Sequence, residues 1–352
     1  MPSTYVPGRS AEEVARVYGI NPEAIIKLGS NENALGPSPK AIEAIKKHIQ
    51  DISIYPSPGY TDLKDAIAGY IGAAAEHIVV GNGSDDLLNT LLRYIIERND
   101  EAIITIPTYS YYETIVEAAR GKCVFVNRTP SFSIDVEQIV AAITKKTKLI
   151  FVCSPNNPTG NSIDRETLEH LLQSTNALVV LDEAYVEFAS ESLVEFTNHF
   201  DNLLVSRTFS KAFGLAGLRL GYAVLNEDLA RSYNRLMLAF SVNQLAVNAG
   251  IAVLSDLSFL HETVAMVEQG RTYLREHLPL KTYPTDANFI FADVAPHTSY
   301  EVAEYLVRQG IIIRNCETFR GCSHSHVRIT VGKPWQNAKL LEVLDTFVRT
   351  ER

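Results

Sequence analysis

Short apolar runs alternate with helix-like stretches between residues 77 and 224. The runs are rich in valine, isoleucine and leucine, as expected for strands that are buried on both faces of a sheet. Most of the intervening segments are long enough for a crossover helix, so the pattern predicts an α/β fold with a mainly parallel, seven-stranded sheet covered by helices. The predicted strands cover residues 77–80, 102–106, 122–126, 149–152, 178–181, 203–205 and 218–224.

The last two predicted strands are joined only by residues 206–217, which are too few for a crossover helix. We therefore expect one of these strands to run antiparallel or to pair out of order. Proline-free helical patterns follow at 227–254 and 259–277, and alternating strand and helix patterns after residue 278 predict a smaller α+β unit. The expected organisation is an N-terminal arm that packs with the small domain (1–36), a large domain (37–245) and a small C-terminal domain (246–352).

Composition is typical of a globular protein, with 46% hydrophobic and 21% charged residues in a chain of 352. The net charge of −9 and the lack of a dense Lys/Arg cluster argue against a nucleic-acid partner. No apolar run approaches the roughly 20 residues that span a bilayer, and the N-terminus lacks a signal-peptide pattern, so we expect a cytoplasmic protein with no membrane partner. The four cysteines lack CxxC spacing, which predicts neither a zinc site nor a disulfide framework, and no metal is expected.

Polar residues follow the predicted strands directly, and the carboxyl ends of parallel strands meet at one edge of a sheet. A glycine-rich turn leads into a helix near Ser84 and Asp85, whose backbone N–H groups form an anion site. Tyr109 offers an aromatic face, and Asn157 lies in a proline-rigidified loop. Asp182 ends an apolar run, where a carboxylate needs a cationic or N–H partner. Taken singly, these features also fit a turn, a core tyrosine or a helix cap.

Lys211 is flanked by hydroxyl-bearing and small residues after the sixth predicted strand. Desolvation there would lower its pKa and free a nucleophilic amine, whereas the simpler alternative is a surface lysine at a helix start. Together with the anion site, the aromatic face, the amide and the buried carboxylate, this lysine completes the set that pyridoxal phosphate requires.

The motifs resemble those of the fold-type-I pyridoxal-phosphate-dependent aminotransferases, and the resemblance covers essentially the whole chain. The matching segments are residues 5–8, 30–33, 55–56, 81–85, 107–109, 154–160, 182–185, 207–213, 217–219 and 327–332. The resemblance implies a pyridoxal 5′-phosphate cofactor bound covalently by Lys211, which would also carry the proton between the substrate Cα and the cofactor C4′. Asp182 would keep the cofactor's ring nitrogen protonated, and Tyr109 would stack on the ring.

The resemblance also implies the residues that hold the rest of the cofactor. Asn157 and Tyr185 would hydrogen-bond its phenolic oxygen. Its phosphate would be bound by the backbone of Ser84 and Asp85 and by Thr208, Ser210 and Arg219. In this family, a tyrosine at the position of Tyr55 reaches the phosphate of the neighbouring subunit, which implies a homodimer.

Within the family, the motifs are most similar to those of the branch that acts on L-histidinol phosphate in histidine biosynthesis, with glutamate and 2-oxoglutarate as the other substrate pair. The implied reaction is a ping-pong transamination. Arg328 is the expected anion clamp, with Tyr5, Asn157 and Arg314 as further substrate-binding residues. A surface arginine is the alternative for Arg314.

Three other functions remain open at this stage. An aromatic or other amino-acid aminotransferase and a decarboxylase of a phospho-amino acid such as threonine phosphate would share every cofactor residue. A non-catalytic module that senses pyridoxal phosphate is the third, although no basic helix-turn-helix segment precedes residue 30. His324 and His326 have no assigned role, and we expect them to be exposed loop residues.

Overall fold

A computed structural model describes residues 8–350 of the chain. Its helices are α1 (Ala11–Tyr18), α2 (Pro39–His48), α3 (Thr61–Ile71), α4 (Ser84–Ile95), α5 (Tyr111–Ala118), α6 (Val136–Ala142), α7 (Arg165–Gln173), α8 (Glu227–Leu236), α9 (Gln244–Ser255), α10 (Ser258–His277), α11 (Ser299–Arg308) and α12 (Pro334–Thr350). Its strands are β1 (Ile26–Lys27), β2 (Ile78–Gly81), β3 (Glu101–Ile106), β4 (Lys122–Asn127), β5 (Thr147–Cys153), β6 (Leu178–Asp182), β7 (Leu203–Thr208), β8 (Gly221–Val224), β9 (Lys281–Thr282), β10 (Phe289–Asp293), β11 (Ile311–Ile312), β12 (Arg314–Asn315) and β13 (His326–Thr330).

The central sheet has seven strands in the order β2-β8-β7-β6-β5-β3-β4. All neighbours pair in parallel except β8, which is antiparallel to both β2 and β7. This arrangement confirms the predicted fold class and the expected change of direction after the lysine loop.

Both faces of this sheet are buried, as its continuously apolar strands require. In β6, Val179 and Leu181 join the hydrophobic cluster on one face, and Leu178 and Val180 join the cluster on the other. Because successive side chains of a strand point to opposite faces, every strand contributes to both clusters. The sheet is therefore a rigid platform, and its carboxyl edge presents loop residues at fixed positions.

A second, antiparallel sheet in the order β12-β13-β10-β9 forms the C-terminal α+β unit. The N-terminal segment packs with this unit, since β1 pairs in parallel with β11 and Val14 of α1 contacts Val307 and Ile312. The domain limits stay a prediction. The expected boundary at 245/246 falls inside α9, where Ala246 and Val253 belong to the cluster that covers the central sheet.

Local sequence signals set several helix ends. Ser10 accepts a hydrogen bond from the backbone N–H of Glu13 (3.1 Å), and Gly19 ends α1 with φ +67°. The predicted continuous helix over 227–254 is wrong, because the chain leaves the helix at residue 237. The Asn243 side chain then caps a new helix by accepting from the N–H of Ala246 at 2.8 Å.

Helices α9 and α10 meet at 79°, and together this bent pair reaches the length and apolar composition of a membrane span. Taken singly, no helix within residues 8–350 does so.

A buried ion pair joins the ends of β6 and β7. Arg207 contacts Glu183 through Nη2 (2.7 Å) and Nε (2.9 Å) to Oε2, and both residues are almost fully buried. The backbone N–H of Leu193 donates to the other carboxylate oxygen at 2.8 Å. Burial makes such a pair sensitive to the loss of one partner, because the remaining charge cannot be solvated.

Substitution Arg207→Ala should therefore lower the free energy of unfolding by about 3–5 kcal/mol. The matched control is Arg231→Ala, which removes an exposed pair with Glu227 on α8 (2.6 Å) and should cost about 0–1 kcal/mol. Urea unfolding midpoints of the two variants measure this difference, and equal shifts would contradict it.

Candidate active site

A cavity of about 290 Å³ opens at the carboxyl edge of the central sheet, against the N-terminal segment and the C-terminal unit. Its position follows from the parallel topology, since the loops after β3, β5, β6 and β7 converge there. The cavity brings together twelve of the residues that the sequence singled out: Ser84, Asp85, Tyr109, Asn157, Asp182, Tyr185, Thr208, Ser210, Lys211, Arg219, Arg314 and Arg328.

Lys211 projects its amine into this cavity from the loop after β7. Its Nζ donates to the carbonyl oxygen of Ser30 at 3.2 Å and lies 5.9 Å from the centre of the Tyr185 ring. Burial, reinforced by the positive charge of Arg328, lowers the pKa of Lys211 to about 8. A large fraction of the amine is therefore neutral and nucleophilic just above neutral pH.

Asp182 ends β6 with its carboxylate buried. Ser206 donates to Oδ1 at 3.1 Å and the Tyr112 hydroxyl donates to Oδ2 at 2.5 Å. Burial raises the pKa of Asp182 to about 6, against the lowering effect of these donors. The sequence interpretation missed Tyr112, and the available signal was its position one helical turn after Tyr109.

The first turn of α4 forms a concave site lined by backbone N–H groups. A Cβ atom on Gly221 would lie 2.4 Å from the backbone nitrogen of Ser84, and a Cβ on Gly83, at φ +90°, would lie 2.7 Å from Nη2 of Arg219. Glycine is required at both positions, because a side chain would fill the space beside the helix N-terminus. A helix start with free N–H groups and an adjacent arginine suits a phosphate group.

Arg219 lies next to two other residues that are predicted to bind the phosphate, Asp85 and Ser210. Its Nη2 lies 3.5 Å from Oδ2 of Asp85, and its Nη1 donates to Oγ of Ser210 at 3.5 Å. The Thr208 hydroxyl donates to the same Ser210 oxygen at 2.9 Å. Burial raises the pKa of Asp85, whereas Arg219 and Lys211 counteract that rise. These four side chains form one polar wall of the cavity.

Two arginines from adjacent strands line the opposite wall. Arg314 of β12 and Arg328 of β13 are cross-strand partners, and both are buried. Arg328 donates to Oδ1 of Asn157 at 2.5 Å and to the carbonyl oxygen of Gly29 at 2.7 Å. Like charges opposite one another repel, so this pair favours an anionic ligand. The alternative of a surface position for Arg314 is wrong.

Asn31, in the loop after β1, lines the cavity but was not singled out from the sequence as a site residue. Asn31 is almost fully buried with φ +56°, and its Nδ2 donates to the Tyr185 hydroxyl at 3.0 Å. Its Oδ1 accepts from Thr330 at 3.0 Å. A non-glycine residue in this backbone region needs surrounding contacts to hold it, and Asn31 has them on both sides.

Three residues named in the sequence analysis, Tyr55, His324 and His326, lie outside this cavity. Tyr55 is 77% exposed and stacks on Phe240 with ring centres 4.6 Å apart, outside the cavity. Tyr5 lies outside the described residues. His324 is exposed, but the expectation of exposure is wrong for His326, which starts β13 and packs 4.7 Å from the Phe291 ring. Side chains alternate between the two faces of β13, and His326 lies on the face that packs against an aromatic cluster of Phe132, Tyr283 and Phe291.

The residues fit the cofactor that the resemblance implies. The cavity holds an amine, a buried carboxylate, an aromatic face and a phosphate-sized site at a helix N-terminus, which are the four elements that pyridoxal phosphate needs. Within residues 8–350, no group of three or more His, Cys, Asp or Glu side chains is arranged to hold a metal ion, and the four cysteines are free thiols.

Comparisons with known proteins agree with this geometry. Residues 23–344 match the family described as aminotransferase class I and II. A histidinol-phosphate aminotransferase from Methanosarcina mazei is 48% identical over 342 residues, which cover 97% of this chain and 93% of that protein. Histidinol-phosphate aminotransferase 1 from Archaeoglobus fulgidus is 44% identical, covering 91% of this chain and 98% of that one.

A solved structure extends the agreement to the fold. The histidinol-phosphate aminotransferase from Sinorhizobium meliloti, in complex with pyridoxal-5′-phosphate, superimposes with a TM-score of 0.90 at 27% identity, covering 99% of this chain and 96% of that chain. The resemblance inferred from the motifs is confirmed. The chain belongs to the class I and II aminotransferases and, within them, to the histidinol-phosphate aminotransferases.

Proposed function

We propose that this enzyme uses pyridoxal 5′-phosphate to transfer an amino group from glutamate to the oxo precursor of L-histidinol phosphate, and back, in histidine biosynthesis. The observation that carries the proposal is the buried pair Arg314 and Arg328 in the same cavity as the nucleophilic Lys211. The relatives named above, at up to 48% identity, support the same substrate.

Bound pyridoxal 5′-phosphate supplies an aldehyde that condenses with amines and a ring that accepts electrons when the substrate Cα–H bond breaks. In the proposed mechanism, Lys211 would hold the cofactor covalently and, once the substrate amine had taken its place, would carry the proton from the substrate Cα to the cofactor C4′. Its lowered pKa suits both tasks, because the neutral amine is the nucleophile and the base.

Asp182 would hold a proton on the ring nitrogen of the bound cofactor through an ion pair. The Tyr185 hydroxyl and the Asn157 amide would donate to its phenolic oxygen, and Tyr109 would pack on the ring face. Together these side chains would orient the ring for the reaction.

The phosphate is proposed to bind the first turn of α4, at the backbone N–H groups of Ser84 and Asp85. Arg219 and the hydroxyls of Ser210 and Thr208 complete its ligands. Anchoring at this end keeps the aldehyde carbon within reach of Lys211.

Both substrate pairs are anionic, and they use the cavity in turn because the reaction is ping-pong. Arg328 is the proposed clamp for the carboxylate or phosphate, with Arg314 and Tyr5 beside it. Asn157 contributes indirectly by accepting from Arg328 at 2.5 Å. One site can serve two ligands because a planar guanidinium binds carboxylate and phosphate oxygens in the same bidentate way.

The proposed assembly is a homodimer in which Tyr55 reaches the phosphate site of the partner. Support comes from exposed large apolar side chains in two segments, Ile52 (66% exposed), Ile54 (65%) and Tyr55 (77%) in one and Leu238 (77%) and Phe240 (40%) in the other. The segments meet where Tyr55 stacks on Phe240, and exposed apolar surface of this kind is typical of an interface. A cytoplasmic location is proposed with it, in keeping with a reaction between small metabolites.

The rate at which the cofactor attaches to Lys211 should depend on pH. Because burial lowers the pKa of Lys211 from 10.5 to about 8, the attacking amine should be half neutral near that pH. The rate of cofactor attachment to the apoprotein, followed by visible absorption, should rise with pH and level off above about 9. Protein carrying Lys211→Ala gives the background from other lysines. A rate that continues to climb towards 10.5 would contradict the assignment.

The second prediction concerns the amino donor. Histidinol phosphate and glutamate should each bleach the visible absorption of the loaded enzyme, and phenylalanine should do so poorly. Substitution Arg328→Lys should lower kcat/KM for both by roughly tenfold or more, since it removes bidentate binding. The control is Arg320→Lys, which alters an exposed pair with Glu113 (2.8 Å).

Other outcomes of that experiment identify the alternatives. A preference for phenylalanine would indicate an aromatic aminotransferase, and carbon dioxide released from threonine phosphate would indicate a decarboxylase. Stoichiometric cofactor without conversion of any donor would indicate a sensing module.

The third prediction concerns the dimer. Substitution Leu238→Asp should shift the protein to monomers in sedimentation experiments, whereas Trp335→Asp, at a 61% exposed position on α12, should not. Tyr55→Phe should leave the dimer intact and weaken cofactor retention by roughly tenfold, because one hydrogen bond to a charged phosphate is lost. Unchanged retention would remove Tyr55 from the phosphate site.

A further inference from the structure

Tyr112 lies directly behind Asp182 in the wall of the active site. It is 1% exposed, and its ring stacks on Phe151 with centres 4.6 Å apart. Tyr109 packs edge-on against the same ring at 5.4 Å. Packing on two sides fixes the ring and places the hydroxyl oxygen 2.5 Å from Oδ2 of Asp182, to which it donates, with the Cys153 thiol as its second hydrogen-bonding neighbour.

The second oxygen of Asp182 is held in the same way. Ser206 is its register partner on β7 and donates to Oδ1 at 3.1 Å. Both contacts come from hydroxyl donors, the backbone N–H of Ala184 adds a third donor, and donors stabilise the ionised form of a carboxylate. The two together also fix the plane of the carboxylate group.

Without these donors the surroundings disfavour the charge on Asp182. Burial raises its pKa, and the negative charge of Asp85 adds to the rise. Two other titratable groups close to it, Cys153 and Tyr185, have raised pKa values and supply no positive charge. The buried guanidinium of Arg128 interacts with Cys153 and Tyr112 and is the positive charge on that side. The pKa of Tyr112 is raised well above its ordinary value by burial and by Asp182, so its hydroxyl stays protonated and remains a donor.

We propose that Tyr112 is a positioning residue whose hydroxyl keeps Asp182 ionised and aimed at the ring nitrogen of the bound cofactor. The inference rests on the role proposed above for Asp182, and it needs bound cofactor but no particular amino donor. Loss of the hydroxyl makes the carboxylate a stronger base. The shared proton then moves from the ring nitrogen to Asp182, and the neutral ring accepts electrons less well.

The test is a pH titration of the visible absorption of cofactor-loaded protein carrying Tyr112→Phe. The linkage between Lys211 and the cofactor takes up a proton as the pH falls, and a positively charged ring repels that proton. A neutral ring removes the repulsion, so the midpoint should rise by about one pKa unit, the size expected when a hydrogen bond to a charged group is lost. The kcat should fall about tenfold while KM for the amino donor changes little.

The matched control is Tyr233→Phe. Tyr233 is equally buried in the same hydrophobic cluster, and its hydroxyl donates to the backbone oxygen of Val80 at 2.9 Å. This variant loses a buried hydroxyl without touching Asp182, so its midpoint should match that of the unchanged protein.

A second variant, Ser206→Ala, removes the donor to Oδ1 and should raise the midpoint in the same direction. A midpoint in Tyr112→Phe no different from that of Tyr233→Phe would overturn the proposal. If Tyr112→Phe does not fold, an unchanged midpoint in Ser206→Ala would overturn it, because hydroxyl donors would then not control the charge on Asp182. Failure of the unchanged protein to convert histidinol phosphate would instead overturn the proposed function, and the titration would still be interpretable.

Discussion

The amine of Lys211 lies in a partly desolvated cavity, 3.2 Å from the carbonyl oxygen of Ser30, with its pKa lowered to about 8. Desolvation is the largest cause of this lowering, and the charges of nearby residues modify it. Arg328 favours the neutral amine, whereas Asp85 and Glu32 oppose it. The arrangement of these charges therefore decides how much free amine is present at the pH of the cell.

The loop at residues 29–31 contacts both this amine and Arg328, the proposed clamp for substrate anions. The Gly29 carbonyl accepts from Arg328, the Ser30 carbonyl accepts from Lys211, and the Asn31 amide donates to Tyr185. Three consecutive residues thus contact the anion clamp, the nucleophile and the cofactor-facing tyrosine. Because the three residues are consecutive, the backbone fixes the separation of these contacts.

The sequence was sufficient for the central sheet and for most of the cavity, because both follow from local patterns. Apolar runs identified the strands, and parallel topology then placed Asp182, Asn157 and Lys211 at one edge. Long-range contacts were not accessible in this way. Tyr112 and Asn31 meet their partners only through packing between segments that are distant in the chain.

Two other differences between the predicted and the observed structure also depend on particular contacts. Helix α9 begins after the break at residues 237–243, where the Asn243 side chain caps it, and the proline-free pattern over 227–254 does not reveal this new start. The burial of His326 depends on which face of β13 meets the aromatic cluster, and this is set by pairing with β10. Tyr55 is exposed in the single chain, as its proposed contact with a partner subunit requires. The sequence of one chain does not show where a partner subunit lies.

The central claim is that Lys211 is the residue that binds the cofactor covalently. The most direct measurement is borohydride reduction of the cofactor-loaded protein, which makes the linkage permanent, followed by peptide mass mapping. If Lys211 binds the cofactor, the reduced cofactor should be found in stoichiometric amount on the peptide that contains Lys211. Label on any other lysine, or no stable label, would contradict it.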